Sequence, residues 1–171
     1  MTNKDYLVPL DANEKQGLPN LDDMFVAVAN PEAFAGGNVN SRGNEGGGSD
    51  PRTLFTVTGD VIVRVYGVCT TDLVSAGGGT LEVGTTKSTA GLIAQTTATD
   101  LDSSELWHDA SPDSDIEAIS VAPARFIVNG ADIIETVGTG DITAGQVYYV
   151  CLWRPVSRDG NVVATRAVSA S

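Results

Sequence analysis

The sequence predicts an all-β fold, an antiparallel β-sandwich or barrel of jelly-roll-like type, with an extended, Gly-rich N-terminal arm. About eight short runs of β-branched and aromatic residues follow one another, and turn residues separate them roughly every 8–12 positions. No amphipathic pattern of roughly 10–15 residues alternates with these runs, which disfavours a parallel α/β fold. The scarcity of aromatic residues and the abundance of Gly, Thr, Val and Ala also fit short strands and tight turns.

The strongest strand signal lies near the C-terminus. Residues 147–153 are continuously apolar or aromatic, which is typical of a buried strand, and Pro155 cannot extend the hydrogen-bond ladder. The turn residues 158–161 follow, with Gly160 able to take positive φ. We therefore predict a hairpin in which residues 161–168 return as the partner strand.

Other strands are predicted from alternation and from flanking turn signals. Asn129-Gly130 is a preferred two-residue hairpin turn, so the runs on either side of it are predicted to pair. Residues 90–96 fit a strand or a weak helix, and the polar stretch 100–115 is predicted to be a loop with one short strand. The remaining predicted strands are 53–58, 61–69, 80–84, 105–107, 125–128 and 132–137.

Residues 1–50 differ in composition from the β domain predicted at 51–171. An apolar patch at 6–10 precedes a polar stretch, and residues 22–30 fit either one or two helical turns or a short strand. Residues 35–49 are rich in Gly and Asn and offer little apolar surface to offset the entropy of ordering. We therefore predict a flexible connection between an N-terminal arm and the β domain.

The charge of the chain excludes some classes of partner. The 171 residues include 22 acidic and 10 basic side chains, giving a formal net charge of −12. Nucleic acids and anionic membranes require a cationic surface, so we expect neither as a direct partner. Solubility and resistance to non-specific association explain the acidity more simply than a dedicated cation-binding surface. The sequence also contains no apolar run of about 20 residues and no signal-peptide pattern, so we expect synthesis in a cytoplasm.

Two cysteines, Cys69 and Cys151, lie within apolar strand-like runs. In a reducing compartment this favours buried free thiols over a disulfide, although the disulfide remains an alternative. Two cysteines alone do not make a zinc site, and we predict no cofactor.

No arrangement of reactive residues predicts catalysis, so we expect a protein that is not an enzyme. His108 lies close to Ser104 and Asp109, but residues adjacent in sequence rarely form a triad, and a surface loop is the simpler explanation. Gly77-Gly78-Gly79 lacks the Lys and the helix of a phosphate-binding loop. Asp60 and Glu82 are a conceivable carboxylate pair whose separation nothing fixes.

Two further groups have a functional and a structural interpretation. The acidic residues in the loop 100–115 suggest calcium, but their spacing does not match an EF-hand, so a solvated loop is favoured. Trp107 and Trp153 could stack on sugar, yet both are explained more readily as core or interface anchors. The acidic residues are Asp100, Asp102, Glu105, Asp109, Asp113 and Asp115.

Two blocks of the sequence resemble a known group of proteins. The first runs through residues 61–73 and 77–85 to 90–102, and the second joins 142–145 to 152–157. Together they resemble β-rich structural proteins of tailed bacteriophages, often small head-decoration or accessory virion proteins. The resemblance covers roughly residues 52–168, and the arm at 1–50 is outside it.

This resemblance implies a phage virion protein, located in the virion, that decorates or cements the capsid. It would bind the head surface through its N-terminal arm and the surface of its β domain. The major capsid protein or other virion subunits would be its partners, and a homo-oligomer, such as a trimer at a lattice symmetry axis, would suit the role. The predicted contact residues are Tyr6, Leu7, Val8, Leu10, Phe25 and Trp107.

Two alternatives remain open from the sequence. The first is a host- or glycan-binding module displayed on the virion, which would use exposed loop aromatics such as Trp107 and the acidic loop beside it. The second, weaker alternative is a hydrolase whose site the sequence does not reveal.

Overall fold

A computed structural model describes residues 24–29, 31–112 and 126–165. Across these ranges the chain forms eleven β-strands and one short 3-10 turn at Ala98–Asp100. The strands are β1 (Phe25–Val28), β2 (Glu32–Ala33), β3 (Arg52–Thr58), β4 (Asp60–Val74), β5 (Thr80–Thr85), β6 (Ser88–Thr97), β7 (Leu106–Trp107), β8 (Phe126–Asn129), β9 (Ile133–Gly138), β10 (Ala144–Pro155) and β11 (Asn161–Ala164).

The strands form two antiparallel sheets, which confirms the predicted all-β sandwich. In the six-stranded sheet the order is β1-β10-β4-β7, with β2 also paired to β10 and β8 also paired to β4. In the five-stranded sheet the order is β11-β3-β9-β5-β6. The long strands β4 and β10 pair with each other from Val61–Pro155 at one end to Val74–Ala144 at the other.

The core lies between the two sheets. The inward positions of β4 and β10 alternate with outward ones, and the inward side chains pack against apolar residues of β3, β5 and β9. Burial of these apolar side chains is the main stabilising contribution, roughly 1.5–3 kcal/mol for each large residue. The largest apolar and aromatic side chains that are fully buried are Trp107, Tyr149, Phe55, Leu81, Ile93, Leu101, Ile133 and Ile142.

Both hairpins predicted from turn residues are wrong in their pairing. β11 pairs with β3 rather than with β10, and β8 pairs with β4 whereas β9 pairs with β3 and β5. The turn residues do reverse the chain, but each turn carries it from one sheet to the other. Turn chemistry sets the local backbone angles and leaves the choice of sheet to the packing of the apolar faces.

Three of the crossings between the sheets, from β3 to β4, from β8 to β9 and from β10 to β11, meet at one end of the sandwich. The N–H of Gly130 donates to the carbonyl of Gly59 at 2.8 Å, and the N–H of Val156 donates to the carbonyl of Asp60 at 2.8 Å. The N–H of Asp60 in turn donates to Oγ of Ser157 at 2.8 Å. These bonds satisfy backbone groups that leave their strands at the corner.

Residues 35–50 form a series of turns joined by hydrogen bonds, in the region where the sequence predicted a flexible connection at 35–49. A backbone N–H donates to the carbonyl three residues earlier at five successive steps, between 3.0 and 3.2 Å. We call this segment the turn ribbon; its donors are Asn38, Ser41, Asn44, Gly47 and Asp50.

The turn ribbon is attached to the sandwich, and the segment before it belongs to the six-stranded sheet. The N–H of Gly36 donates to the carbonyl of Ile142, and the N–H of Ile142 donates to the carbonyl of Gly43. Residues 25–28, for which the sequence left helix and strand open, are the strand β1. The described part of residues 1–50 is therefore continuous with the β domain that the sequence placed at 51–171.

Candidate interaction surface

The outer face of the six-stranded sheet is largely apolar. In an antiparallel sheet with one solvated face, outward positions are normally polar. Here the outward residues of the two central strands are instead apolar or aromatic, with one Arg on each strand. They are Ile62, Arg64, Tyr66 and Val68 on β4, and Tyr148, Val150, Leu152 and Arg154 on β10, all half-buried except Val150, which is buried.

This face continues onto the neighbouring strands. On β1, Val26 is 62% exposed and lies opposite Leu152, and Val28 is 47% exposed and lies opposite Val150. On the other side of β4, Ile127 is 70% exposed and lies opposite Ile62. We call this set of outward side chains on β1, β10, β4 and β8 the outer face.

The charges on the outer face are positive, although the chain as a whole is strongly acidic. Arg64 lies opposite Leu152, and Arg154 lies opposite Ile62 on the same pair of strands. The Nη1 atom of Arg154 is buried and has no hydrogen-bond partner among the described residues. The two guanidinium groups make this face positively charged, which favours a partner that presents carboxylates.

The outward positions of the five-stranded sheet are more polar, although Val163 on β11, which lies opposite Thr56, is 54% exposed. Thr56 on β3, Glu82 on β5 and Thr136 on β9 are polar, and Nε2 of Gln95 donates to Oε2 of Glu82 at 3.3 Å. This sheet therefore shows the usual arrangement of an apolar inner face and a polar solvated face. The contrast marks the outer face of the six-stranded sheet as the surface suited to contact with another protein.

The predicted contact residues have different fates in the structure. Phe25 is 48% exposed and stacks on Trp153, with ring centroids 4.9 Å apart, so it borders the accessible surface as the prediction requires. Trp107 is fully buried, and its indole N–H donates to Oγ1 of Thr96 at 2.9 Å, so it is a core residue rather than a contact residue. Tyr6, Leu7, Val8 and Leu10 lie outside the described residues.

A buried ion pair that was not predicted from the sequence lies inside the sandwich. Nε of Arg42, from the turn ribbon, donates to Oε1 of Glu135 at 2.9 Å, and Nη2 donates to Oε2. The hydroxyl of Tyr149 also donates to Oε2 of Glu135, at 2.7 Å. The guanidinium lies 4.0 Å from the ring centroid of Phe34 and donates to the carbonyls of Glu32 and Val147.

The protonation states of this pair follow from its surroundings. Burial by itself would raise the pKa of Glu135, but the charge of Arg42 and hydrogen bonds from Arg42 and Tyr149 hold that pKa below its ordinary value. Burial, together with the Glu135 charge, raises the pKa of Tyr149. The pair is therefore ionised at neutral pH and every strong hydrogen-bonding atom of the carboxylate is used, which is the arrangement of a structural anchor.

The acidic loop uses its carboxylates to hold its own backbone. Oε2 of Glu105 accepts the N–H of Asp102 at 2.7 Å, and Oδ1 of Asp109 accepts the N–H of Ser111 at 2.7 Å. Asp100 lies in the 3-10 turn, and Asp113 and Asp115 lie outside the described residues. Within the described ranges no group of three or more metal-binding side chains is present.

The other candidates for chemistry occupy turns and strands. Nδ1 of His108 lies 3.9 Å from Oδ2 of Asp109, whereas the N–H of Ser104 donates to the carbonyl of Cys69. Asp60 begins β4 at the corner of the sandwich, and Glu82 is an outward residue of the five-stranded sheet. The two carboxylates thus belong to different sheets.

The two cysteines are buried free thiols, as predicted. Burial raises the pKa of the Cys69 thiol to about 11 and that of the Cys151 thiol to about 12. Both thiols are therefore protonated at neutral pH and act as small apolar core residues.

The sequence contained a signal for the outer face that our prediction did not use. Residues 61–63 and 147–153 are apolar at both odd and even positions, a pattern typical of strands covered on both faces. On these two strands, the residues that point inward and those that point outward are therefore both of types that avoid water.

Comparison with known proteins adds no family to this picture: no family of proteins, no curated protein and no solved structure matches the chain. Among the described residues, no helix has the length and apolar character needed to cross a membrane.

Proposed function

We propose that this chain is a structural protein of a tailed-bacteriophage virion, a capsid decoration or cement protein that docks on the head through the outer face. The observation that carries the proposal is the difference between the two sheets. One presents polar residues to solvent, and the other presents Tyr66, Leu152 and Val26 beside two arginines. The resemblance of residues 52–168 to phage structural proteins supports the choice of partner.

The physical character of the outer face suits protein partners with carboxylates at the contact. Aromatic residues and Arg contribute most to binding energy at protein interfaces, because they bury large areas and form directed hydrogen bonds. Arg64 and Arg154 supply the directed contacts, and the apolar residues around them exclude water. The net charge of −12 of the whole chain opposes non-specific self-association at high copy number.

The alternative of a glycan- or host-binding module loses one of its supports. That alternative relied on Trp107 as an exposed aromatic that could stack on a sugar ring. Its indole is buried and hydrogen-bonded, so sugar stacking would require another aromatic residue.

Binding to heads tests the proposal. Heads of the phage that encodes the chain, prepared without this protein, are incubated with the purified chain and sedimented. We expect Leu152→Glu to weaken binding at least about tenfold, because it places a charge in the apolar centre of the outer face. The matched control is Thr56→Glu, which adds the same charge to the exposed polar face of the other sheet and should bind like the wild type.

Two outcomes would contradict the proposal. The first is that mass spectrometry of purified particles does not find the chain. The second is that Leu152→Glu and Thr56→Glu bind heads equally well while both remain folded by circular dichroism.

A further inference from the structure

Among the described residues, no strand pairs with the outer edge of β1, which is the last strand of the six-stranded sheet. The N–H of Ala29 donates to the carbonyl of Tyr149 at 2.9 Å, so the N–H and C=O groups of Ala27 and Phe25 also point toward β10. The N–H and C=O groups of Val26 and Val28 therefore point away from the sheet. An edge of this kind accepts an added strand.

Apart from its length of four residues, nothing in β1 discourages such pairing. Natural edge strands are usually protected by Lys, by Pro or by a bulge, but β1 reads Phe-Val-Ala-Val and pairs with β10 in unbroken register. Val26 and Val28 are also exposed by 62% and 47%. An added strand would lie beside β1 and satisfy the backbone groups that point away from β10.

We propose that residues 6–10 of a second copy of this chain add as a strand to the open edge of β1. This segment, Tyr-Leu-Val-Pro-Leu, lies outside the described residues, and the thirteen residues 11–23 separate it from residue 24, which immediately precedes β1. It is short, apolar and free of charge, as an extended strand over β1 requires. In the resulting homo-oligomer, the copies are held together because they exchange their N-terminal segments.

The length of residues 11–23 favours a second copy over the chain's own edge. Hairpin loops usually contain 2–5 residues, and loops of more than about 12 residues are uncommon in compact domains. Fully extended, thirteen residues span up to about 43 Å, which reaches a neighbouring copy. Exchange of a segment also joins two chains of charge −12 without packing their acidic surfaces against each other.

Pro9 fixes which residues of the segment face β1. Proline has no N–H to donate, so in an added strand Pro9 must face the new outer edge. Leu7 then faces that edge too, and Tyr6, Val8 and Leu10 form the hydrogen bonds with β1. Pro9 also prevents another strand from pairing with the new outer edge. The copies therefore form a closed oligomer and do not grow into a fibre.

Two proline substitutions one residue apart test this arrangement in the full-length chain. Val8→Pro removes an N–H that the added strand needs, whereas Leu7→Pro removes one that faces solvent. By light scattering coupled to size exclusion, we expect the wild type and Leu7→Pro to form the same oligomer. We expect Val8→Pro to shift the assembly midpoint to at least about tenfold higher concentration. A monomeric wild type, or equal effects of the two substitutions, would overturn the proposal.

Disulfide formation identifies the acceptor strand. Chains carrying Val8→Cys are mixed with chains carrying Val26→Cys, and the native Cys69 and Cys151 contribute little because they are buried. We expect a cross-linked product of twice the chain mass, and far less of it when Ile127→Cys, on the opposite side of the same sheet, replaces Val26→Cys. Cross-linking within one chain in the double variant Val8→Cys/Val26→Cys would instead show that each chain covers its own edge, and would overturn exchange.

This inference stands apart from head binding. Val8→Pro leaves the outer face unchanged, so loss of the oligomer with head binding retained would support exchange and separate it from docking. Equal head binding by Leu152→Glu and Thr56→Glu, with the oligomer intact, would overturn docking alone.

Discussion

Arg42 and Glu135 form a two-pronged ion pair that fastens the turn ribbon to the inner side of the five-stranded sheet. The two residues are 93 positions apart in sequence, and both side chains are almost completely buried. A guanidinium and a carboxylate arranged in this way make two parallel, charge-assisted hydrogen bonds. The Gly-rich segment is therefore held by this ion pair together with backbone hydrogen bonds to Ile142, in place of the apolar surface that it lacks.

Loss of one partner of this pair should destabilise the protein strongly. We expect Arg42→Met to lower the free energy of unfolding by about 3–5 kcal/mol, because it leaves the Glu135 carboxylate buried without a counter-charge. The measurement is urea denaturation followed by far-ultraviolet circular dichroism. Arg52→Met is the matched control, since Arg52 pairs with Glu32 at a partly exposed site and should cost less than about 1 kcal/mol. Equal losses for the two variants would contradict this account.

The same pair should make stability depend on pH in the acidic range. The pKa of Glu135 is lowered in the folded chain, so its contribution is fully present above the pKa of an unfolded Glu, about 4.3. It is lost as the pH falls through the lower folded pKa. Between pH 7 and pH 3, we therefore expect the urea midpoint of the wild type to fall more than that of Arg42→Met/Glu135→Leu. Parallel curves for the two proteins would show that Glu135 is not the group responsible.

The order of the turn ribbon predicts unequal effects of substitution at two of its glycines. Gly43 has a φ of +94°, and a Cβ there would lie 2.2 Å from the carbonyl oxygen of Ile142. We expect Gly43→Ala to destabilise the fold by more than about 1 kcal/mol. At Gly37 a Cβ would meet no atom within 4 Å, so Gly37→Ala should be neutral or stabilise by up to about 1 kcal/mol. A flexible connection would tolerate both substitutions equally in the same denaturation measurement.

The strands were predictable because their signals are local. The β-branched runs at 53–58, 61–69 and 132–137 correspond to β3, β4 and β9, and the ambiguous 90–96 lies within β6. The sheet to which each strand belongs was not predictable, because Gly59, Gly130 and Gly160 mark tight reversals without specifying the partner strand. The turn ribbon was missed for a related reason, since its order depends on a partner 93 residues away.

The candidate site was predictable only in part. Phe25 borders exposed surface, as its predicted contact role requires, whereas Trp107, for which the sequence favoured a core or interface role, packs in the core. Trp107 lies on β7 with its side chain in the core, and its ring centroid is 6.2 Å from that of Tyr149. The residues that flank a position in the sequence indicate whether the backbone there lies near solvent. They do not determine whether a large side chain at that position points outward or into the core.

The two tryptophans should therefore respond differently to a quencher in solution. The chain contains only Trp107 and Trp153, so Trp153→Phe and Trp107→Phe each leave a single indole. Trp107 is 0% exposed and hydrogen-bonded to Thr96, whereas Trp153 is half-buried beneath Phe25. We expect Trp153→Phe to emit at shorter wavelength and to be quenched by acrylamide several-fold less than Trp107→Phe. Unfolding in urea supplies the control, because both variants should then be quenched alike. Strong quenching of native Trp153→Phe would place Trp107 at the surface and restore it as a contact residue for a partner or a sugar.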